Sequence, residues 1–166
     1  MNEKKKNFPK ILLNHSESFY LRKLFEKVKV KEVMVEDPIT IDVNEPFSHV
    51  EEKFGAHQIR HLPVIDKDEI LVGLMTQRDL YRIQPPRILE DGGQFYDKQL
   101  LDSNILEHVM IRNPKTLRPD DHVADAIIIM AEKKYGCIPI VNPNGVLLGI
   151  ITQTDILRMA AQIIQE

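Results

Sequence analysis

Tryptophan is absent from this chain, cysteine occurs once, and aromatic residues make up only 6% of it. A single cysteine, Cys137, rules out an internal disulfide and suits a reducing compartment. No apolar stretch approaches the roughly 20 residues needed to cross a bilayer. The one early apolar run, Ile11–Leu13, stops at Asn14-His15-Ser16-Glu17, so nothing resembles a secretory leader. Charge of one sign is also missing. A net charge of −3 gives no concentrated basic surface for nucleic acid, and the cluster Lys4–Lys6 with Lys10 reads as a solvated terminus. The expectation is a cytoplasmic protein that binds neither membrane nor nucleic acid.

The chemistry-bearing motifs of common enzymes are lacking too. There is no Walker loop and no Gly-x-Gly-x-x-Gly. No base-activated serine arrangement can be picked out, so no catalytic residue and no catalytic cofactor are assigned. Six histidines invite a search for metal, but His57 and His61 straddle a helix-to-strand change and no Cys/His quartet exists. Cys137 has no neighbouring histidine and reads as an inert buried thiol. Asp120-Asp121 reads as a helix start rather than a cation site.

What the chain does contain is a duplication. Gly73–Leu80 (GLMTQRDL) and Gly149–Ile156 (GIITQTDI) keep Gly, Thr, Gln and Asp at one spacing. At the offset that aligns them, Pro63 falls on Pro139, Leu71 on Leu147, Thr40 on Thr116, Pro38 on Pro114, and Val33-Met34 on Val109-Met110. Arg82 meets Arg158 in the other direction. One register held over some fifty residues is a repeated unit. The chain divides into an N-terminal segment 1–28, a first repeat 29–83, a linker 84–103 with Pro85-Pro86 and Gly92-Gly93, and a second repeat 104–166.

Each copy reads as a lead-in ending in Val-Met, a turn at Asp37-Pro38 or Asn113-Pro114, and a short strand, Ile39–Val43 or Lys115–Leu117. A helix follows. Phe47, Val50 and Phe54 form a stripe in the first copy. Val123–Ala131 is nearly continuous in apolar residues in the second, which predicts cover on more than one side. Two strands come next, Leu62–Ile65 with Ile70–Met75 and Ile138–Val141 with Val146–Ile151, joined at Asp66–Glu69 and Asn142–Gly145. A second helix starts after Thr76 or Thr152. The order is β-α-β-β-α, twice. A unit of fifty residues buries too little surface to stand alone, which predicts two small sheets packed together. Ser16 is the expected cap of a short N-terminal helix carrying Phe19, Leu21, Leu24 and Phe25.

Gly-x-x-Thr-x-x-Asp at a strand-to-helix turn has a physical logic. The glycine permits close approach, and the threonine lies beside unpaired backbone donors that favour a phosphate. The aspartate in the first helical turn can accept both hydroxyls of a ribose. Thr and Asp there are also ordinary helix caps.

These motifs resemble those of the cystathionine-β-synthase (CBS) domain, and the chain resembles a tandem pair, or Bateman module. The resemblance rests on VM-x3-P-x-T near each start, HLPVID and CIPIVN in the middle, and the two octets at the ends. It covers about two-thirds of the chain. It implies an α+β fold in which the two repeats pack through their sheets about a pseudo-twofold axis, leaving two clefts for adenosine nucleotides (AMP, ADP or ATP, with AMP or ATP favoured) or S-adenosylmethionine. It assigns ribose hydroxyls to Asp79 and Asp155, and the ribose–phosphate neighbourhood to Thr76 and Thr152. Arg78 and Thr154 fall where phosphate can be faced. Ile39-Thr40 and Lys115-Thr116 line the adenine pocket. Arg60-His61-Leu62-Pro63 matches the basic form of the segment that touches adenine and phosphate, and Gly136-Cys137-Ile138-Pro139 does not. Arg60, His61 and Arg78 gather positive charge in the first copy. The second offers Thr152 and Thr154, with Lys133 and Lys134 nearby. The resemblance also implies homodimerisation through the helices, for which the wide apolar face of Asp155–Gln165 is suited. A ligand-sensing regulator acting on a partner protein is the expected function. An interaction scaffold with empty clefts and an enzyme acting on a bound nucleotide are the alternatives.

Overall fold

The computed structural model describes residues 14–165. Helix α1 (His15–Lys27) begins one residue after Asn14. The Asn14 side chain accepts the Glu17 amide at 2.9 Å, and the Glu17 carboxylate accepts the Asn14 amide at 2.9 Å. The cap is therefore Asn14 and not Ser16. Three residues beyond Asn14 stands a glutamate that can reciprocate, whereas three beyond Ser16 stands Phe19.

The first repeat then runs through β1 (Val35–Glu36), β2 (Ile41–Asp42), α2 (Ser48–His57), β3 (His61–Ile65), β4 (Leu71–Thr76) and α3 (Gln77–Ile83). The linker holds a small hairpin, β5 (Arg87–Ile88) with β6 (Gln94–Phe95), and helix α4 (Lys98–Asp102). The second repeat supplies α5 (Leu106–Val109), β7 (Ile111–Arg112), α6 (Val123–Lys133), β8 (Cys137–Val141), β9 (Leu147–Thr152) and α7 (Gln153–Gln165).

Two mixed sheets result, and each borrows an edge from the other repeat. One has the order β2-β3-β4-β7, the other β1-β9-β8 with Leu117 bridging Ile140 in parallel. The lead-ins thus cross over: Val35 lies opposite Ile150, and Ile111 lies opposite Leu74. Their side chains follow. Met110, Leu106 and Leu101 complete the core built on Ile41, Phe47, Phe54, Leu62 and Met75. Val30, Val33 and Met34 join the core built on Ala126, Met130, Ile138 and Ile151. Leu74, Ile150 and Cys137 form a third, smaller cluster where the sheets meet.

The apolar stripe of α2 is buried as its spacing predicts: Phe47, Val50 and Phe54 all face the core. Helix α6 is covered by its own sheet and flanked by α1 and α7, yet Ile128 stays 54% exposed, so its cover is incomplete. Helix α1 packs on α6 as the linker helix α4 packs on α2. From α4, Asp102 accepts the Ser48 amide at 2.8 Å and so caps the start of α2. The residues before each repeat therefore support the opposite repeat.

At the far end the hairpin tips meet. Ile70 bridges Val146, Leu71 N–H donates to the Gly145 carbonyl at 3.0 Å, and Leu147 N–H donates to the Glu69 carbonyl at 3.1 Å. This reciprocity is that of a twofold axis. Left-handed backbone recurs in the same register: Asp37 and Asn113 (φ 45° and 49°), Gln58 and Lys134 (52° and 59°), Glu69 and Gly145 (61° and 86°).

Candidate functional site

Both octets end a strand and open a helix, and their bonding is nearly the same. Thr76 Oγ1 donates to Asp79 Oδ2 at 2.6 Å, the Thr76 amide donates to that oxygen at 3.1 Å, and the Asp79 amide donates back to Thr76 Oγ1 at 3.3 Å. At Thr152 and Asp155 the three distances are 2.6, 2.9 and 3.3 Å. Each threonine is a helix cap whose hydroxyl proton goes to the aspartate. As the side chains stand, it positions a carboxylate rather than meeting a phosphate.

The second carboxylate oxygen is the one left for other work. Arg82 approaches Asp79 Oδ1 at 3.6 Å, and Arg158 approaches Asp155 Oδ1 at 3.3 Å. The aspartate side chains are only 12% and 8% exposed, while the arginines are 78% and 76% exposed. An exposed arginine is easily displaced, since such pairs contribute little in water. Each turn thus holds a fixed, nearly buried carboxylate whose second oxygen is met by an exposed arginine. The arginines were not assigned a role from the sequence, although a cation three residues after an acid on a helix is a readable pairing signal.

The glycine of each octet answers to the crossed lead-in. A Cβ on Gly73 would collide with Sδ of Met110, and one on Gly149 would stand 2.8 Å from both Met34 Sδ and the Val35 carbonyl oxygen. The close approach that glycine permits is made by the other repeat's methionine. The Val-Met lead-in and the glycine of the octet are two halves of one contact.

The middle segments meet the same turns. Gln77 N–H donates to the Arg60 carbonyl at 3.0 Å, and Gln153 N–H to the Gly136 carbonyl at 3.1 Å. His61 lies opposite Thr76 and Cys137 opposite Thr152. His61 also reaches across the seam: a Cβ on Gly136 would stand 2.5 Å from its Nε2. Burial first, and the charge of Arg60 second, hold the His61 imidazole below its usual pKa. Burial pushes the Cys137 thiol up to about 12, which removes it as a nucleophile near neutrality.

Not every residue assigned by resemblance offers its side chain. Leu62 and Ile138 are fully buried in the two repeat cores, because strand alternation turns them away from the seam. Only their backbone can contribute. Pro63 and Pro139 are buried opposite Leu74 and Ile150, beside the intersheet cluster. Arg60, Arg78, Thr154, Lys115 and Ile39 are exposed, and Thr40 and Thr116 are half-buried. Lys53 donates to the Thr40 carbonyl at 2.9 Å.

A cavity of about 210 Å³ is bordered by Asp155, Arg158, Met159, Glu32 and Val33. It is smaller than the roughly 300 Å³ at which small-molecule pockets begin. A larger one of about 480 Å³ lies at the start of α2, between Phe47, Asp102 and Leu106, away from both turns. Among the described residues no three His, Cys, Asp or Glu side chains gather as metal ligands would, and no helix is long and apolar enough to cross a membrane.

Known proteins share this architecture. A CBS domain-containing protein of Dictyostelium discoideum is 28% identical over 140 residues, spanning 84% of this chain and 95% of that protein. A homoserine O-acetyltransferase of Methanohalobium evestigatum is 26% identical over 142 residues, but there the chain spans only 26% of the relative. The CBS domain pair of protein MJ0100, in complex with 5′-methylthioadenosine and S-adenosyl-L-methionine, superposes with a TM-score of 0.67 at 25% identity, over 81% of this chain and 97% of that one. CBSX2 in complex with AMP gives 0.68 at 24%, again over 81% and 97%. Residues 30–85 and 106–162 each match the CBS domain, so this chain belongs to the CBS domain family and carries two copies in tandem.

Proposed function

We propose that this protein is a ligand-sensing regulatory module that binds an adenosine nucleotide or S-adenosylmethionine between its two CBS repeats. The observation that carries the reading is the pair of matched turns, each holding a nearly buried aspartate whose second carboxylate oxygen is met only by an exposed, displaceable arginine among the described residues. A ribose diol is the ligand group such an edge accepts. Related pairs crystallised with S-adenosyl-L-methionine or AMP support it.

Ligand bound at the seam touches both repeats and favours one of their relative arrangements, which is the condition for any signal. A coupling of about 1–3 kcal/mol transmits a useful response to a partner protein. The repeats 29–83 and 104–166 act as the two lobes, linked by 84–103. A homodimer is formed through the exposed apolar helix faces, where Leu157 is 69% and Ile164 is 84% exposed. No residue acts catalytically in this reading.

Calorimetric titration with AMP, ADP, ATP and S-adenosylmethionine tests it, on the native chain and on Asp79→Ala and Asp155→Ala. Heat that disappears in one variant supports the sensor and identifies the working turn. Absence of heat with all four ligands overturns it in favour of the scaffold, for which those same exposed helix faces speak. Turnover of ATP on prolonged incubation overturns the non-catalytic reading.

A further inference from the structure

The register that aligns the octets also runs upstream of both repeats. Phe19-Tyr20 falls on Phe95-Tyr96, Leu24 on Leu100 and Glu26 on Asp102. The two aromatic pairs are placed differently. Tyr96 is half-buried and packs against the core of the first repeat. Burial first, then the neighbouring Tyr81 of α3 and Glu51 of α2, push its phenol up to about 12. Oriented to suit them, the buried Gln84 amide accepts the Asp97 N–H at 3.2 Å and donates to its carbonyl at 3.3 Å. The linker is thereby fastened over α2 and α3.

Phe19 and Tyr20 have no such seat. They belong to the first turns of α1, where every side chain from Asn14 to Lys23 is exposed, Tyr20 by 72%. They meet each other edge to face, with ring centroids 5.9 Å apart. The face that their counterparts cover is open as well. Glu51, Tyr81 and Gln84 correspond to Ile127, Leu157 and Ala160, of which Leu157 is exposed and the others half-buried. Polar groups on the covered face are thus replaced by apolar ones on the open face, and Leu21 likewise stands in place of Asp97.

The start of the helix explains the difference. Asp97 caps α4, accepting the Gln99 and Leu100 amides at 3.1 and 3.2 Å, and so leaves Phe95 and Tyr96 outside the helix. Leu21 cannot cap, and α1 runs back to the Asn14–Glu17 box. Among the described residues, those first turns gain only that box and the exposed pairs of Arg22 and Lys23 with Glu26. Such pairs add little in water, and so short a helical extension without packing is marginal.

We infer that the α6–α7 face is the docking surface of the chain's own Phe19-Tyr20 segment. Residues 14–22 leave the helix and lay the aromatic pair over Ile127, Leu157 and Ala160, as the linker lays Phe95-Tyr96 over α2 and α3. The chain itself is the occupant because its reach is already set. Val30 is anchored in the core of the second repeat and α1 lies on α6, as Leu106 is anchored in the first and α4 lies on α2. Burial of two aromatic rings against apolar side chains offsets the loss of the helical turns. A closed strap takes Leu157 out of the face assigned to the homodimer, so strap and second copy compete for it. The inference stands whether or not the clefts bind a nucleotide.

Thiol labelling with a maleimide tests this on the full chain at high dilution. Leu157→Cys is compared with the same substitution combined with Phe19→Ser and Tyr20→Ser. Cys137 stays silent, since it is buried and its thiol is pushed up to about 12. A strap closed at least half of the time shields Leu157→Cys, so loss of the aromatics is expected to quicken labelling by about two-fold or more. Equal rates overturn the inference. Shielding that appears only at high protein concentration and ignores the two serines also overturns it, and assigns the face to a second copy. All three positions are exposed, and cooperative thermal melting of each variant confirms that it is folded. Oxidation of Tyr20→Cys combined with Leu157→Cys is a second measurement, expected to give a disulfide within one chain. A link between chains, or no link, overturns the inference.

Discussion

The two repeats agree where geometry is demanding and diverge at exposed positions beside the two strand-to-helix turns. Each has the same capped aspartate, left-handed backbone at the same positions and the same exchanged lead-in. They part company at the borders of the turns, with Arg78 against Thr154 and Arg60 against Gly136. They also differ in how the shared geometry is reached. Gly149 is crowded by a backbone oxygen and Gly73 by a flexible side chain, while the left-handed hairpin tip is Glu69 in one copy and Gly145 in the other. The shared frame can be probed by stability and the differing borders by binding.

The largest expected effect comes from removing the crossed methionines. Met110→Ala leaves a hole in the core of the repeat to which it does not belong in sequence, and should cost about 2–4 kcal/mol. Met34 is only partly buried, so Met34→Ala should cost less. Urea unfolding decides this: a loss within about 0.5 kcal/mol for Met110→Ala, as a surface substitution gives, would mean that the lead-in adds nothing to that core.

The glycine partners come next. Gly149→Ala and Gly73→Ala should each destabilise by about 1–3 kcal/mol, with Gly149→Ala the worse of the two. Met110 Sδ can swing aside, whereas the Val35 carbonyl belongs to the exchanged strand itself. The reverse order in thermal melting would show that β1 yields more readily than the methionine.

At the hairpin tips the prediction changes sign. Glu69→Gly should stabilise by about 0.5–1 kcal/mol, because the left-handed backbone strains a side chain but not glycine. Gly145→Ala should destabilise by a similar or larger amount, its Cβ also lying 3.4 Å from Ile70. Melting temperatures of the two variants, moving in opposite directions, are the expected result.

The smallest effect is pH-dependent. The folded state holds the His61 imidazole below the usual 6.5, so the unfolded chain binds more protons there as pH falls. Stability from this group is therefore present above about pH 6.5 and is lost as pH drops through that value toward the lower folded pKa. His61→Asn should lose less stability than the native chain between pH 7.5 and 5.5. Identical slopes in denaturation series at both pH values would remove His61 from the account.

Much of this was legible in the sequence, for local reasons. The repeat register, the strand pairs and the helix starts follow from period-two patterning, turn residues and Thr–Asp spacing, all readable within a few residues. The exchange of lead-ins was not. Val33-Met34 and Val109-Met110 announce burial, but both cores are equally apolar and nothing local says which one receives them. For the same reason the linker hid a core residue: Pro85-Pro86 and Gly92-Gly93 are turn chemistry, yet Leu101 behind them is fully buried. The placement of the aspartates and their threonines at strand-to-helix turns was readable. The commitment of each threonine hydroxyl to its aspartate and the inward turn of Leu62 and Ile138 depend on side-chain directions that spacing leaves open.

The crossed lead-ins also set an order on synthesis. As the chain leaves the ribosome, β2, β3 and β4 emerge with their sheet still open along β4, and it closes only when Ile111–Arg112 arrives. Val35–Glu36, made much earlier, waits unpaired until β9 is complete at Thr152. Neither half of the molecule can finish alone, however long the other takes. About two-thirds of the chain must be present before the first sheet closes at Arg112 and nearly all of it before the second closes at Thr152, so the two sheets are completed in sequence and each only with a strand from the other repeat.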